Sequence, residues 1–590
     1  MSPNKKILLT ASYGPNELGW GEDMYDLLNC RLGRGHGAFR MASHCHYFGL
    51  YIIAENLNHP VTVLENPHWD EFEAELDQGY DVVGIQLKSL HTDKVARMVA
   101  RIREKCPKTE IVIGGYGVST LDTPVPGDTK GSAKLIRENA HHFCREEGVG
   151  FMRKLLNDQP IDREITQYHM PMTGFSVTGL TFAHARVPII LVSLGCPNAC
   201  DFCNTSAFFK HQKIYVAEPE QVYRYMKHYQ QRLSNDDIFV LLFDEDFFLN
   251  PDYVRELGRL LRSDKKTWGI RWFSFGSIRS MSQFTAEELR DCGLGIVWIG
   301  VESFLAEAGT TEDTYAKRKG VEIKQMFDNL HRLGIQTIGS LVLGFDFHTP
   351  ENLKRDIDMF VDLKPTFYQI SPLTPCPGTA LYERMTEEGR IRDNYQWSDF
   401  HLWKDDGFVV KNFEQNEIKK FFDYAHEQLA ARIGPPVLQA LEGALDAHQN
   451  LKDSPSEYLR YQADRARMMA VGFRIFARAS KLYGNSEQVK QRAAHLEARF
   501  HSEIGGINPI TGALSHLITH RIKQAQNSPP PVIVSDPPPR WTYYQRHNGS
   551  LQVLVRKGRE AKKAVPYKEQ RIISLGRLGG LSGAGGLWGV

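Results

Sequence analysis

Residues 191–210 read LVSLGCPNACDFCNTSAFFK. Cys196, Cys200 and Cys203 stand there at spacing C-x3-C-x2-C, directly behind an apolar run (188–193) that reads as a buried strand. The thiols therefore lie on a loop at the carboxyl end of that strand. Three thiolates occupy three irons of a [4Fe–4S] cube and leave the fourth iron open, whereas a simple electron-transfer cluster takes four cysteines. An open iron binds a small molecule and passes it one electron. Zinc is the competing reading, but zinc takes four ligands. His211 is the nearest extra donor, and the sequence has no second C-x2-C pair.

A strand–helix rhythm extends outward from this loop. Further strands are expected at 238–243, 271–276, 296–301, 336–343 and 366–371, with helices between them such as 251–262 and 286–292. Six strands joined by right-handed crossovers close most of a barrel over 187–395, and a full eight-unit barrel needs more chain. Residues 1–160 alternate in the same way, with strands at 6–10, 61–64, 81–86 and 110–113 and helices at 46–57 and 94–104. This predicts an α/β chain whose N-terminal domain is a doubly wound, Rossmann-like parallel sheet, with ligands at the carboxyl ends of its strands. Residues 161–186 read as a linker. Residues 396–525 read as a helical domain, expected to cover the barrel mouth, with Tyr395, Trp397, Phe400 and Trp403 at its entry as packing aromatics. Residues 526–590 read as a proline-rich linker and a basic, glycine-rich tail. Within it 541–555 predicts a hairpin turning at Asn548-Gly549, and the glycine-rich end predicts disorder.

Several polar residues fall at barrel strand ends. LLFDEDFFLN (241–250) places Asp244 and Glu245 just past an apolar strand, where a capped turn before Pro251 is the plain reading. IGVESF (299–304) places Glu302 at the end of a buried strand, a costly position unless the carboxylate is paired. SFGSIRS (274–280) places Ser277 and Arg279 likewise.

The cysteine spacing, with the aromatic Phe202 before the last cysteine, resembles the radical S-adenosylmethionine superfamily. The resemblance covers about 200 residues. It implies that the open iron chelates S-adenosylmethionine, and that reductive cleavage gives methionine and a 5′-deoxyadenosyl radical. The cluster cysteines and Glu302 are then catalytic, and Phe202, Asp244, Glu245, Ser277, Arg279, Glu302, Gly339 and Gly344 contact the cofactor, the two glycines by letting backbone approach the adenosine. Cys376 lies in the last barrel loop and reads as structural, with a substrate-facing thiol as the alternative.

The first domain resembles the cobalamin-binding domain of the cobalamin-dependent subgroup through Val83-Gly84-Ile85, Gly114-Gly115 and Glu147-Gly148. The resemblance implies cobalamin contacts from Ser89, Gly114, Gly115 and Glu147. His46 and Gly49 match an Asp-x-His-x-x-Gly cobalt-ligand pattern, but His44 replaces its aspartate, so the carboxylate that would orient His46 is missing from the motif. A flavodoxin-like scaffold that binds no corrinoid is the alternative.

Nine cysteines, six of them scattered singly, argue for metal ligation over disulfides. The 590 residues predict several domains. The net charge of +1 gives no general case for nucleic acid. No apolar run reaches membrane-spanning length and no signal-peptide core follows Met1, so a cytoplasmic location is expected. The function these features predict is radical cleavage of S-adenosylmethionine to abstract hydrogen from an unactivated carbon, with cobalamin-dependent C-methylation of a small molecule, lipid or natural product. Hopanoid and natural-product methylases share this layout, as does the anaerobic magnesium-protoporphyrin ester cyclase. A flavodoxin or ferredoxin is the expected electron donor. The alternatives are a radical cyclase or oxidoreductase without methyl transfer, an RNA methylthiotransferase using the basic segment 556–571, and a non-catalytic sensor.

Overall fold

Apolar runs without polar alternation form strands buried on both faces, as in parallel sheets covered by helices. A computed structural model describes residues 4–16, 18–19, 22–23, 34–39, 41–44, 46–177, 180–305, 322–401, 407–506, 509–526, 537–547, 550–557 and 565–566. Cys30, Cys45, Trp403, Asn548-Gly549, most of the basic segment and the glycine-rich end lie outside the described residues.

The chain begins with β1 (Ile7–Thr10), β2 (Met41–His44), α1 (Phe48–Glu55), β3 (Val61–Glu65), α2 (Trp69–Leu76), β4 (Val82–Gln86), α3 (Thr92–Lys105), β5 (Glu110–Gly114), α4 (Ser132–Asn139), β6 (His142–Phe143) and α5 (Gly148–Leu156). Strands β3, β1, β4, β5 and β6 pair in parallel in that spatial order. This is a doubly wound order, with the switch point between β1 and β4. Ile7, Val63, Val82 and Ile111 are fully enclosed, as are Val95, Met98, Val99 and Ile102 of α3, whose spacing makes one apolar face.

The expected linker at 161–186 holds more structure than its composition suggests. β7 (Thr173–Val177) and β8 (Leu180–Val187) form a hairpin, and β2 adds to it antiparallel. Ahead of it, the buried Gln167 amide accepts the Leu191 N–H at 2.7 Å and donates to the Leu191 carbonyl at 2.8 Å. A side chain thus stands in for a neighbouring strand at the open edge of the barrel.

The barrel region runs β9 (Ile189–Leu191), β10 (Ser193–Leu194), α6 (Asn204–Phe208), β11 (Ile214–Tyr215), α7 (Pro219–Leu233), β12 (Ile238–Phe243), α8 (Pro251–Ser263), β13 (Ile270–Ser277), α9 (Ile278–Met281), α10 (Ala286–Asp291), β14 (Leu294–Glu302), α11 (Ile323–Arg332), β15 (Gln336–Leu343), α12 (Pro350–Asp362) and β16 (Phe367–Pro372). β9, β12, β13, β14, β15 and β16 form one parallel sheet in sequence order, an open six-stranded barrel. Six helices follow: α13 (Ala380–Glu387), α14 (Glu417–Arg432), α15 (Pro436–Leu451), α16 (Glu457–Tyr483), α17 (Glu487–Glu503) and α18 (Pro509–Gln526).

Near the strand starts, Phe239, Phe273, Ile296, Ile338 and Phe367 share one apolar cluster with Ile475, Phe476 and Ala479 of α16 and Ile518 and Ile522 of α18. These helices therefore close the floor of the barrel, not its mouth, which corrects the sequence expectation. The apolar stripes of α16 and α18 fill the hollow that six strands leave open at their amino ends. Tyr395, Trp397 and Phe400 are buried against one another and serve packing, as expected.

The expected hairpin near the C-terminus is present as β17 (Arg540–His547) and β18 (Ser550–Lys557). It does not stand apart with the tail: β17 pairs antiparallel with β3 and extends the first sheet. Its Trp541 is 4% exposed and donates from Nε1 to Glu75 at 3.0 Å. The pairing covers what would be an open row of N–H and C=O groups on β3. Replacing Trp541 with Ala is expected to destabilise this sheet by about 3–5 kcal/mol in urea unfolding, the usual range for deleting a buried indole.

Candidate active site

The cysteine loop is shaped by backbone constraints. Gly195 has φ +78°, and a Cβ there would lie 2.2 Å from the Gln212 carbonyl, so no other residue fits. Ala199 also takes a positive φ of 53° between the first two thiols. The Cys203 N–H donates to the Cys200 carbonyl at 3.0 Å, and Ser206 Oγ donates to the Cys196 carbonyl at 2.7 Å. The short antiparallel pair β10–β11 brackets the loop. Arg384 of α13 grips Asp201 at 2.8 Å.

Cys196 and Cys200 are buried, Cys203 is half-buried, and none of the three is in a disulfide. Among the described residues no three such side chains converge closely enough to hold one metal ion. Three thiols in one short loop take three irons of a cube and leave the fourth open. The donor set therefore fits a [4Fe–4S] cluster with one open iron.

The Asp-Glu-Asp run divides into fasteners and one available carboxyl. Asp244 is fully buried, accepting from Lys213 Nζ at 2.7 Å, Ser193 Oγ at 2.6 Å and the Asp246 N–H at 2.9 Å. Asp246 accepts from Asn198 of the cysteine loop at 2.8 Å and from Ser280 at 2.5 Å. Ser277 caps α9 through Ser280. Asp244 and Ser277 are thus engaged in building the rim. Glu245 differs: its Oε2 is buried without a hydrogen-bond partner. Burial, reinforced by the Asp244 charge, pushes its carboxyl up to about 7, against N–H donation from Glu245 and Gly195. Arg279 is exposed on α9.

Glu302 ends β14 with φ 63°, at a register slip between Gly300 and Glu302. A non-glycine residue held there is a strained position of the kind that clusters at functional sites. Gly339 has a packing role: a Cβ would lie 2.8 Å from the Phe360 ring of α12. Gly344 is required by its own backbone, at φ +97°. Cys376 lies close enough to Cys203 that burial and that neighbour push its thiol up to about 12.

The carboxyl edge of the first sheet meets this loop. Gly115 has φ +91°, and a Cβ there would lie 2.8 Å from the Leu87 carbonyl. The next residue, Tyr116, lays its ring against Phe208 and Phe209 and points its hydroxyl at Glu245, 3.5 Å away. Sequence reasoning missed Tyr116, although it directly follows the quoted Gly114-Gly115. On the same edge Gln86 Oε1 is buried without a partner. Ser89 opens the turn before α3, and its carbonyl accepts from Thr92. Glu147 caps α5, accepting the Val149 and Gly150 N–H groups at 2.6 and 2.7 Å, so its carboxylate is engaged in the fold. The carboxylate missing beside His46 is supplied by Glu65, 2.7 Å from His46 Nδ1. Burial alone would raise the Glu65 carboxyl; His46, Arg540 and the Tyr47 N–H hold it below the usual range.

With the barrel, its cysteine loop and the rim in place, the class of that region follows: residues 190–360 match the family model of the radical SAM superfamily, so the barrel is a radical SAM domain. That domain implies a [4Fe–4S] cluster and S-adenosylmethionine. Particular relatives can be named. The chain is 25% identical to the bacteriochlorophyllide d C-12(1)-methyltransferase of Chlorobaculum tepidum, over 55% of this chain and 70% of the relative. It is 26% identical to the anaerobic magnesium-protoporphyrin IX monomethyl ester cyclase of Cereibacter sphaeroides, over 35% of this chain and 33% of the relative. The solved structure of the radical S-adenosylmethionine methyltransferase TsrM from Kitasatospora setae, with cobalamin and a [4Fe–4S] cluster bound, superposes with a TM-score of 0.46 and 14% identity, covering 89% of this chain and 99% of that one.

Replacing Cys196, Cys200 and Cys203 together with Ala is expected to abolish both reconstituted iron and S-adenosylmethionine cleavage, and Gly195→Ala is expected to lower iron content with all three thiols intact. For Glu245, the folded chain keeps its proton up to about pH 7 while the unfolded chain loses it near 4.5. Stability of the cluster-free protein should therefore fall as pH rises between those values. Glu245→Gln removes that slope, so its advantage in Tm over the parent should grow from pH 4.5 to 7 and then level off.

Proposed function

We propose that the chain is a cobalamin-dependent radical C-methylase acting on a small molecule with a flat conjugated ring. The observation that carries this reading is the seating of the first sheet's carboxyl edge on the cysteine loop through Tyr116. A ligand at the natural binding edge of that sheet then faces the cluster loop. The cluster with S-adenosylmethionine supplies a carbon-centred radical that removes hydrogen, and cobalamin supplies a transferable methyl group.

The chain's own residues position and shield this chemistry. Cys196, Cys200 and Cys203 present three thiolates and leave one iron open. Glu245 offers a buried carboxyl beside the loop for a cationic group of the cofactor, and Glu302 ends β14 at the rim. Inside the barrel, above the floor, Phe243, Phe275 and Trp298 are half-buried. Phe275 and Trp298 stack with centroids 5.1 Å apart, and Trp298 donates to Ser340 at 2.5 Å. This wall suits a planar ring. The relatives named for methylating bacteriochlorophyllide d and for cyclising a magnesium-protoporphyrin ester agree with such a substrate. Its electron donor is a flavodoxin or ferredoxin, and its location is cytoplasmic. No helix among the described residues is long and apolar enough to cross a membrane.

A second reading, a radical cyclase or oxidoreductase without methyl transfer, is favoured by Glu147, whose carboxylate is already engaged by two N–H groups at the start of α5. The deciding experiment is oxygen-free reconstitution with iron, sulfide and hydroxocobalamin, followed by desalting and metal counts. About four irons and about one cobalt per chain are expected, together with methyl transfer from methyl-labelled S-adenosylmethionine. About four irons with no cobalt would overturn methylation in favour of the second reading.

A further inference from the structure

A buried polar node joins the ends of β14 and β15 to α12. His348 and Asp356 are both 0% exposed. His348 Nδ1 accepts the N–H groups of Gly344 at 3.1 Å and Phe345 at 3.2 Å. A nitrogen that accepts carries no proton in the neutral ring, so the backbone assigns the proton to Nε2. Nε2 lies 3.2 Å from Asp356 Oδ2 and 3.3 Å from Ser303 Oγ. The other oxygen of Asp356 accepts the Phe304 N–H at 2.6 Å. The links of this node end on α12 and on the segments that follow β14 and β15. Ser303 and Phe304 directly follow the strained Glu302. Phe345 packs on Phe202, the aromatic inside the cysteine motif, with ring centroids 6.1 Å apart.

Burying a carboxylate and an imidazole together is a weak way to gain stability. It is an effective way to fix geometry, because each hydrogen bond here has one permitted direction. We infer that His348 and Asp356 are positioning residues: they hold Glu302 in its left-handed conformation and Phe345 against the cysteine loop, and so set how tightly S-adenosylmethionine is held. This rests on the reading of Glu302 as a cofactor contact.

Asp356→Asn tests it with little change of shape. A carboxylate accepts from Phe304 N–H and from His348 Nε2–H at once; an amide has one oxygen, so one of those donors is orphaned. The reconstituted full-length chain and its E302Q, D356N and E302Q/D356N variants are compared for iron content and for S-adenosylmethionine affinity, read from the change in the electron paramagnetic resonance signal of the reduced cluster on titration. All should hold about four irons per chain. E302Q and D356N should each weaken affinity by about tenfold or more, and the double variant should bind no worse than the weaker single one, because both act on one contact. An inert E302Q would remove the reading of Glu302 itself. A weakened E302Q beside an unaffected D356N, or losses that multiply in the double variant, would overturn the inference. If D356N also loses iron, Ser303→Ala, which deletes a single hydroxyl of the node, decides: unchanged affinity overturns the inference, and a several-fold loss with full iron supports it.

Discussion

A buried ion pair organises the site. Lys213, whose side chain is 9% exposed, meets Asp244, which is fully enclosed, at 2.7 Å. Removing two charges from water is costly, and the pair is tolerable only because its remaining valences are filled. Asp244 also accepts from Ser193 and the Asp246 N–H, and Lys213 also donates to the Asp246 carbonyl at 2.7 Å. These bonds fasten the strand before the cysteines and the loop after them to the end of β12. The loop's own geometry, with Gly195 where only glycine fits, is then determined from both sides. Asp246 extends the same fastening to Asn198 within the motif.

This frame separates two kinds of acidic residue that look alike in sequence. Asp244 and Asp246 are saturated by donors. Glu245, between them in sequence, keeps one buried oxygen without a hydrogen-bond partner and meets the Tyr116 hydroxyl with the other. Its raised carboxyl is the electrostatic counterpart of that placement.

Local chemistry was legible in the sequence, and long-range partnership was not. Cys196, Cys200 and Cys203 could be read as candidate cluster ligands because all three thiols lie within one short loop. The strands at 238–243 and 336–343 could be read because a strand buried on both faces shows as an unbroken apolar run. Glu65 could not be read as the partner of His46, since a carboxylate after the next strand leaves no mark near residue 46. The room that Gly339 leaves for Phe360, on the helix that follows, could not be read, since that partner lies in another element. The same holds for the capping of α5 by Glu147, which needs the helix start to be known. The hairpin 540–557 was visible from its turn and alternation, yet nothing in it names β3 as its neighbour. Gln167 carried no signal at all, because a single glutamine acting as a strand edge has no periodicity.

The pairing of β17 with β3 also has a consequence in time. During synthesis, β3 leaves the ribosome hundreds of residues before the strand that covers its outer edge. At ordinary elongation rates of about 5–20 residues per second, that edge stays uncovered for roughly half a minute to a minute and a half. Through that interval the nascent chain presents an open template for strand addition by other chains. Completion of the first sheet therefore waits for β17, and a nascent-chain chaperone that shields Val61–Glu65 would have a defined moment of release.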